Sequence, residues 1–189
     1  MGLDSEVKKA TEILKNGGTI LYPTDTVWGI GCDATNQRAV NKIHKIKVRM
    51  PNKSLIILAL DTVMIEQYVN HLPGIALDLI KNVDEPLTIV YSQGRNVAKD
   101  VAAPDGTIAI RIPKNDFCIK LLKSFKKPIT STSANISGDL TPFSYSKISD
   151  QIKNSVDYIV KIDRNIISRP RPSTIIKINN NGEIEIIRN

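Results

Sequence analysis

Apolar positions along the chain follow two periods, which predicts helices interleaved with short strands. Val7, Ala10 and Leu14 recur at helical spacing, and the two glycines that follow Lys15 and Asn16 end this helix. In contrast, residues 54–60 form a continuous apolar run that is typical of a buried strand. Helices are predicted over 4–15 (capped by Asp4 or Ser5), 37–48, 61–69, 73–82 and 116–125. Strands are predicted over 19–22, 54–60, 86–92, 106–113, the start of 128–138, 156–162, 173–178 and 183–188.

The order of these elements predicts an α/β fold. Helices and strands alternate through most of the chain, but the last strands follow each other closely, and residues 179–182 read as a hairpin turn. A mixed sheet is therefore favoured over a purely parallel one. No linker, repeat or low-complexity stretch interrupts the pattern, so we predict one domain over residues 1–189.

The charge and composition of the chain limit the kinds of partner that it is expected to bind. The net charge of +7 favours anionic ligands, whether nucleic acid or a phosphorylated small molecule. The positive charges are scattered and aromatic residues make up 5%, too few for a base-stacking surface, which argues against nucleic-acid binding as the main role. No apolar run reaches the roughly 18 residues of a membrane span. The charged N-terminus and the widely spaced Cys32 and Cys118 indicate a cytoplasmic protein without a disulfide framework or zinc site.

Four polar stretches follow predicted elements and carry the candidate chemistry: PTDT (23–26), KVRMPNK (47–53), STSANISG (131–138) and RPRPST (169–174). Ligands of open α/β sheets collect where strands end and loops converge. These stretches hold hydroxyls, amides and cations, without a nucleophile beside a base. Neither a P-loop nor a dinucleotide fingerprint is present, so a nucleotide would be held in another way.

Three of these stretches also have a purely structural interpretation. Lys47 and Arg49 could serve only as cations at a helix C-terminus, and the hydroxyls of STSANISG could bond only their own turn. Arg111, the single cation within the apolar strand TIAIRIP, needs a partner or a cleft, and Thr107 lies on the same strand face. A further set is more typical of structural side chains, namely Asp25 in a turn, Trp28 in the core, His44 beside a helical apolar stripe and His71 on the surface.

The order of the motifs is more specific than any one of them. YPTDTVWGIGCDA, K-x-R-x-P-x-x-K-S-L, PLT, GTIAIRIP, STSANISG and PST follow one another from about residue 10 onward, and in this order they resemble the YrdC/TsaC family of threonylcarbamoyl-adenylate synthases. The resemblance implies a twisted mixed sheet around a basic cavity, in the short, single-domain form of the family. It also implies a nucleotidyltransferase that makes threonylcarbamoyl-AMP and pyrophosphate from L-threonine, bicarbonate and ATP.

Site residues carry over motif by motif, as expectations from the resemblance. The threonine substrate would contact Thr26, Arg111, Ser131 and Ser173; ATP would contact Arg49, Lys53, Thr107, Ser133, Asn135 and Arg188; Lys47 and Arg49 would be catalytic. Mg²⁺ would accompany ATP, with no metal ligand from protein side chains. The product would supply the t6A modification at position 37 of tRNA through separate transfer proteins.

The chain departs from the family pattern at several positions, and two alternatives to this assignment remain. The chain has NVDEPLT where the family usually has W-P-G-P-L-T and RPRPST where it usually has G-x-E-S-T, and Asp84 and Glu85 are expected near the cavity edge. No histidine stands near Leu58, where some relatives use one. The first alternative is a module that binds double-stranded RNA or ribosomes through the same basic cavity. The second is a paralogue of altered activity, against which the retained Lys47, Arg49 and Asn135 argue.

Overall fold

The computed structural model describes residues 2–49, 53–165, 172–179 and 182–189. The helices are α1 (Leu3–Lys15), α2 (Gln37–Ile46), α3 (Thr62–Glu66), α4 (Gly74–Asn82), α5 (Asp116–Phe125) and α6 (Asp150–Ser155), and a 3₁₀ turn lies at Tyr145–Lys147. The strands are β1 (Ile20–Tyr22), β2 (Gly29–Gly31), β3 (Ile56–Leu58), β4 (Leu87–Tyr91), β5 (Ile108–Arg111), β6 (Ile129–Ser133), β7 (Tyr158–Ile159), β8 (Thr174–Ile178) and β9 (Ile184–Arg188).

The nine strands of the described residues join one mixed sheet in the order β7-β1-β2-β6-β3-β5-β4-β8-β9. The pairs β1/β7, β3/β5 and β4/β8 are parallel, whereas the other neighbours are antiparallel. The predicted mixed α/β sheet is confirmed. The adjacent strands β2, β6 and β3 bring together three of the four polar stretches, because PTDT precedes β2, KVRMPNK precedes β3 and STSANISG begins within β6.

Helices cover both faces of the sheet. On one face α1 and α5 pack through Leu14, Phe117 and Leu121 against β1 and the middle of the sheet. On the other face a larger apolar cluster includes residues of α2, α3, α4 and α6. The side chains of neighbouring residues in β3 point to opposite faces of the sheet: Ile57 belongs to the larger apolar cluster and Leu58 to the smaller one. The face that carries Leu58 is only partly covered by α1 and α5, and the cavity described below lies beside them.

Strands β1, β2 and β6 approach very closely. A Cβ on Gly31 would lie 2.4 Å from the carbonyl oxygen of Thr130 and 2.8 Å from the Cε1 atom of Tyr22. Tyr22 is fully buried and donates its hydroxyl to the same Thr130 carbonyl at 3.1 Å. Only glycine fits at position 31, which explains this part of the glycine-containing segment after PTDT.

The prediction of secondary structure was right for most elements and wrong at several ends. Helix α1 begins after Gly2, with no side-chain cap from Asp4 or Ser5. The apolar run at 54–60 contributes only three residues to β3. Strand β2 and helix α6 were not predicted, and the predicted turn at 179–182 includes residues outside the described part of the chain. In the described part, no helix is long and apolar enough to cross a bilayer.

Candidate active site

A cavity of about 500 Å³ opens on the sheet face beside α1 and α5. Its volume is that of a typical small-molecule site. Eight of the eleven predicted site residues line it: Thr26, Arg49, Thr107, Arg111, Ser131, Ser133, Ser173 and Arg188. The structure therefore brings hydroxyls and three guanidinium groups from distant parts of the chain into one concave surface.

Arg111 lies at the end of β5 with its side chain only 5% exposed. Its Nη1 donates to Thr26 Oγ1 at 3.0 Å and lies 3.4 Å from Asp25 Oδ1. Thr24 holds this turn, because its hydroxyl accepts from the Thr26 backbone N–H at 3.0 Å and donates to the Val27 carbonyl at 2.7 Å. The buried strand cation thus has both a partner and a cleft, as its position in an apolar strand required.

Arg188 faces the cavity because β9 contains an irregular register. Ile176 pairs with Ile186, but Ile175 pairs with Arg188, so Ile187 is an extra residue in the ladder. Without this bulge Ile187 would pair with Ile175, and Arg188 would lie one position further on and point to the other face. Both Ile187 and Arg188 line the cavity as a result.

Arg188 also holds the loop before β8. Its Nη2 and Nε donate to the carbonyl oxygen of Ser173 at 2.9 and 3.1 Å. The Ser173 hydroxyl shares a hydrogen bond of 2.7 Å with Thr88, which pairs with Arg111 across β4 and β5. Burial, followed by repulsion from Arg111, lowers the pKa of Arg188. Two guanidinium groups that repel each other would be stabilised by a shared anion.

Arg49 is placed by the end of α2. Val48 adopts a left-handed conformation (φ 48°), and the N–H groups of Val48 and Arg49 donate back to the carbonyls of Lys45 and His44. These two bonds form a Schellman motif, in which glycine normally takes the place of Val48. Arg49 Nη2 then donates to the Ser54 carbonyl at 2.8 Å, whereas its buried Nε has no hydrogen-bond partner in the described structure. Burial lowers the pKa of this guanidinium, which lines the cavity.

Lys47 does not line the cavity but lies behind it. Its ammonium donates to the carbonyls of Ser133 and Asn135 at 2.6 and 2.7 Å, and it lies 3.4 Å from Asn135 Oδ1. Asn135 in turn accepts from the Ser133 hydroxyl at 2.5 Å and donates to the Asp139 carbonyl at 2.7 Å. Burial, with a smaller contribution from Arg49, lowers the pKa of Lys47 to about 8. Lys47 and Asn135 thus shape the loop that presents Ser133.

The remaining predicted residues differ in their placement. Thr107 lines the cavity next to β5 and donates to Asp105, whose pKa is lowered by these hydrogen bonds. Ser131 lines it from β6, where it pairs with Ile56. Lys53 is exposed and is not brought to the cavity. Thr141, which sequence reasoning missed, does line it, although it lies in a loop with no periodic signal.

The acidic residues of NVDEPLT, which were expected near the cavity edge, lie away from the cavity. Asp84 is fully exposed and pairs with Lys114 at 3.6 Å, and neither Asp84 nor Glu85 lines the cavity. Ser173 and Pro172 do line it, whereas Arg171 lies outside the described residues. Trp28 and His44 are buried, and His71 is exposed, as predicted.

The lining contains no carboxylate, histidine or cysteine in the described part of the chain. The same part holds no group of three or more His, Cys, Asp or Glu side chains that could hold a metal ion. Cys32 and Cys118 are buried, and burial raises the pKa of both thiols, to about 12 for Cys32. The site can bind, align and neutralise anions, but it offers no acid–base pair and no thiolate nucleophile.

Comparison with known proteins gives a consistent result. The profile of the Sua5/YciO/YrdC family, described as "Telomere recombination", matches residues 12–189. A protein of Methanocaldococcus jannaschii with the provisional name threonylcarbamoyl-AMP synthase is 38% identical and is aligned over 97% of this chain and 87% of its own. The threonylcarbamoyl-AMP synthase of Pseudoalteromonas translucida is 33% identical, with 93% and 94% of the two chains aligned.

Solved structures agree with the fold. A double variant of P. abyssi Sua5 superposes over 100% of this chain and 57% of its own, with a TM-score of 0.90 and 26% identity. P. abyssi Sua5 complexed with L-threonine has a TM-score of 0.81 and 27% identity over 90% of this chain and 50% of its own. The chain thus spans about half the length of Sua5. None of these relatives favours the alternative of an RNA-binding module.

Proposed function

Because the chain belongs to the Sua5/YciO/YrdC family, we propose that it is an L-threonylcarbamoyladenylate synthase. Its substrates are L-threonine, bicarbonate and ATP, and its products are threonylcarbamoyl-AMP and pyrophosphate. The names of the aligned relatives support this activity. The observation that carries the proposal is the convergence of Arg49, Arg111 and Arg188 with a row of hydroxyls on one cavity.

The size and charge of the cavity suit these substrates. ATP, bicarbonate and the carboxylate of threonine are all anionic, and no lining carboxylate in the described residues opposes them. Arg111, Thr26 and Ser173 lie together and would hold threonine. Arg49 and Ser133 line the cavity as well and would bind the phosphates. Guanidinium groups suit both ends because they bind carboxylate and phosphate through two parallel hydrogen bonds.

The reaction needs alignment more than acid–base catalysis. The ammonium of the bound zwitterion first releases its proton to solvent, and the neutral amine and bicarbonate then combine to an N-carboxylated threonine and water. A carbamate oxygen then forms a bond to the α-phosphorus, the bond from that phosphorus to the bridging oxygen breaks, and pyrophosphate leaves with the bonding electrons. Arg49 and Arg188 would neutralise the charge that develops on the phosphate oxygens, and the cavity walls would keep the two reactants in line.

Mg²⁺ would enter with ATP as part of the substrate. The lining supplies hydroxyl oxygens but no carboxylate among the described residues, which does not fit a protein-built Mg²⁺ cage. The phosphates would therefore hold the ion, and we assign no step to it. We further propose that the product passes in the cytoplasm to separate proteins that modify tRNA.

Omission of single substrates tests the proposal. We expect pyrophosphate release only when ATP, L-threonine and bicarbonate are all present. Release that persists without threonine, or that is unchanged after removal of bicarbonate, would show that the assignment is wrong. Arg49→Ala should abolish product formation and leave the melting temperature within a few degrees, since this side chain makes a single described hydrogen bond, to Ser54.

A further inference from the structure

Asp25 occupies an unusual position for a residue of a surface turn. Its side chain is 11% exposed, and it lies directly behind the guanidinium of Arg111 rather than in the lining of the cavity. Its Oδ2 accepts from the backbone N–H of Lys114 at 3.3 Å. Its Oδ1 is buried without a hydrogen bond, and the one ionic contact of this atom in the described structure is Arg111 Nη1 at 3.4 Å.

The two contacts of Arg111 Nη1 fix the guanidinium from one side. Thr26 Oγ1 accepts at 3.0 Å and Asp25 Oδ1 lies at 3.4 Å, and both acceptors belong to the same turn, which Thr24 holds. The N–H groups of Arg111 other than those of Nη1 remain available to a ligand in the cavity. Because Asp25 Oδ1 is a buried carboxylate oxygen with one cationic neighbour, displacement of Arg111 would leave a buried negative charge without compensation, which would cost free energy.

Asp25 also balances charge. Arg111 and Arg188 are close enough for Arg111 to lower the pKa of Arg188. Threonine brings both an ammonium and a carboxylate, so an uncompensated Arg111 with Arg188 nearby would favour the carboxylate of threonine and repel its ammonium. A carboxylate placed behind Arg111 reduces this repulsion without competing for the ligand, because it does not face the cavity.

We propose that Asp25 is a positioning residue for the amino-acid end of the site: it orients Arg111 and sets the local charge so that the zwitterion of threonine binds. This inference rests on the proposed function for the identity of the ligand. The orientation of Arg111 by Asp25 is independent of that identity.

The test compares Asp25→Asn with Asp33→Asn. Asp33 is a matched control because it is a similarly buried carboxylate that pairs with a cation, Lys127, at 3.1 Å, and it does not line the cavity. Two quantities are measured: the dissociation constant of L-threonine by calorimetry, and the side-chain Nε–Hε NMR signal of Arg111, assigned by its loss in Arg111→Lys.

In Asp25→Asn we expect the Arg111 signal to shift or broaden and the dissociation constant of threonine to rise about tenfold, the effect of losing one charge-assisted contact. The KM of ATP should stay near the wild-type value, and Asp33→Asn should change neither readout. If Asp25 had a purely structural role, Asp25→Asn would instead lower the melting temperature and weaken the binding of threonine and ATP alike.

An unchanged Arg111 signal in Asp25→Asn, or an unchanged threonine affinity in a wild type that binds threonine, would overturn the inference. If the wild type does not bind threonine but the Arg111 signal still responds to Asp25→Asn, the positioning of Arg111 is supported and the proposed substrate is wrong.

Discussion

Deletion of Ile187 tests how the bulge in β9 builds the site. The pairing of Ile175 with Arg188, where Ile187 would stand in a regular ladder, directs the arginine into the cavity. Removal of the extra residue should restore the regular alternation and turn the guanidinium to the opposite face. Few single changes move a functional side chain without altering its chemistry, which makes this deletion informative.

The magnitude follows from the contacts of Arg188. A hydrogen bond to a charged group contributes about 1.5–3 kcal/mol, and because Arg188 remains partly solvated we expect the lower end for the loss of its contact with ATP. At about 1.4 kcal/mol per factor of ten, this is a rise of about tenfold in the KM of ATP. The bonds of Arg188 to the Ser173 carbonyl are lost as well, which should lower the free energy of unfolding by about 1–2 kcal/mol.

The assay is the KM of ATP in pyrophosphate release, with thermal melting as the control for folding. Ile186→Ala keeps the length of β9 at a position that is 66% exposed and outside the cavity lining, and it should stay close to wild type, whereas Arg188→Ala should match the deletion. A deletion variant that folds and keeps the wild-type KM would refute the assignment of the bulge. An unchanged KM in Arg188→Ala would show that Arg188 does not contact ATP.

Three further predictions concern the support of the site. Lys47→Met removes an ammonium whose pKa in the folded wild type, about 8, lies below its unfolded value of 10.5, so the unfolded wild type binds more protons than the folded one between these pH values. The stability of the wild type relative to the variant should therefore rise by up to about 3 kcal/mol between pH 8 and 10.5, as measured by denaturant melts. Parallel pH curves for the two proteins would contradict this. Gly31→Ala should lower the unfolding free energy by about 3 kcal/mol or more, since its Cβ meets the Thr130 carbonyl, and a near-neutral melt would refute the tight strand packing. Val48→Gly should raise it by about 1 kcal/mol by relieving a left-handed valine that is 68% exposed, and a lower melting temperature would argue against the Schellman geometry.

Local patterns in the sequence predict most of the elements because apolar spacing reflects burial directly. Leu14 of α1 and Leu121 of α5 are buried in the core, and each belongs to a helix whose apolar stripe is visible in the sequence. Strand β2 was missed because two of its three residues, Gly29 and Gly31, are glycines with low strand propensity, and the strand depends on the close approach of β1 and β6. Helix α6 was missed because it is short and contributes mainly Ile152 to the core.

The site was predictable in its residue types but not in its geometry. The cation within TIAIRIP required a partner, and the structure supplies Thr26 and Asp25. In contrast, the sequence cannot show that Lys47 points away from the cavity, because this depends on where the loop carrying Ser133 crosses the end of α2. Nor does strict alternation along β9 place Arg188, since a bulge changes the face of every residue after it.

The most direct test of the proposed activity follows the carbon of bicarbonate. The protein is incubated with ATP, L-threonine and ¹³C-bicarbonate, and the nucleotide products are analysed by mass spectrometry. We predict an adduct of AMP and threonine that contains one ¹³C atom and that is lost in Arg49→Ala. Pyrophosphate release without a labelled adduct, or an adduct in which the carbonyl carbon is unlabelled although all inorganic carbon is ¹³C, would contradict the assignment of this cavity as a threonylcarbamoyl-AMP synthase site.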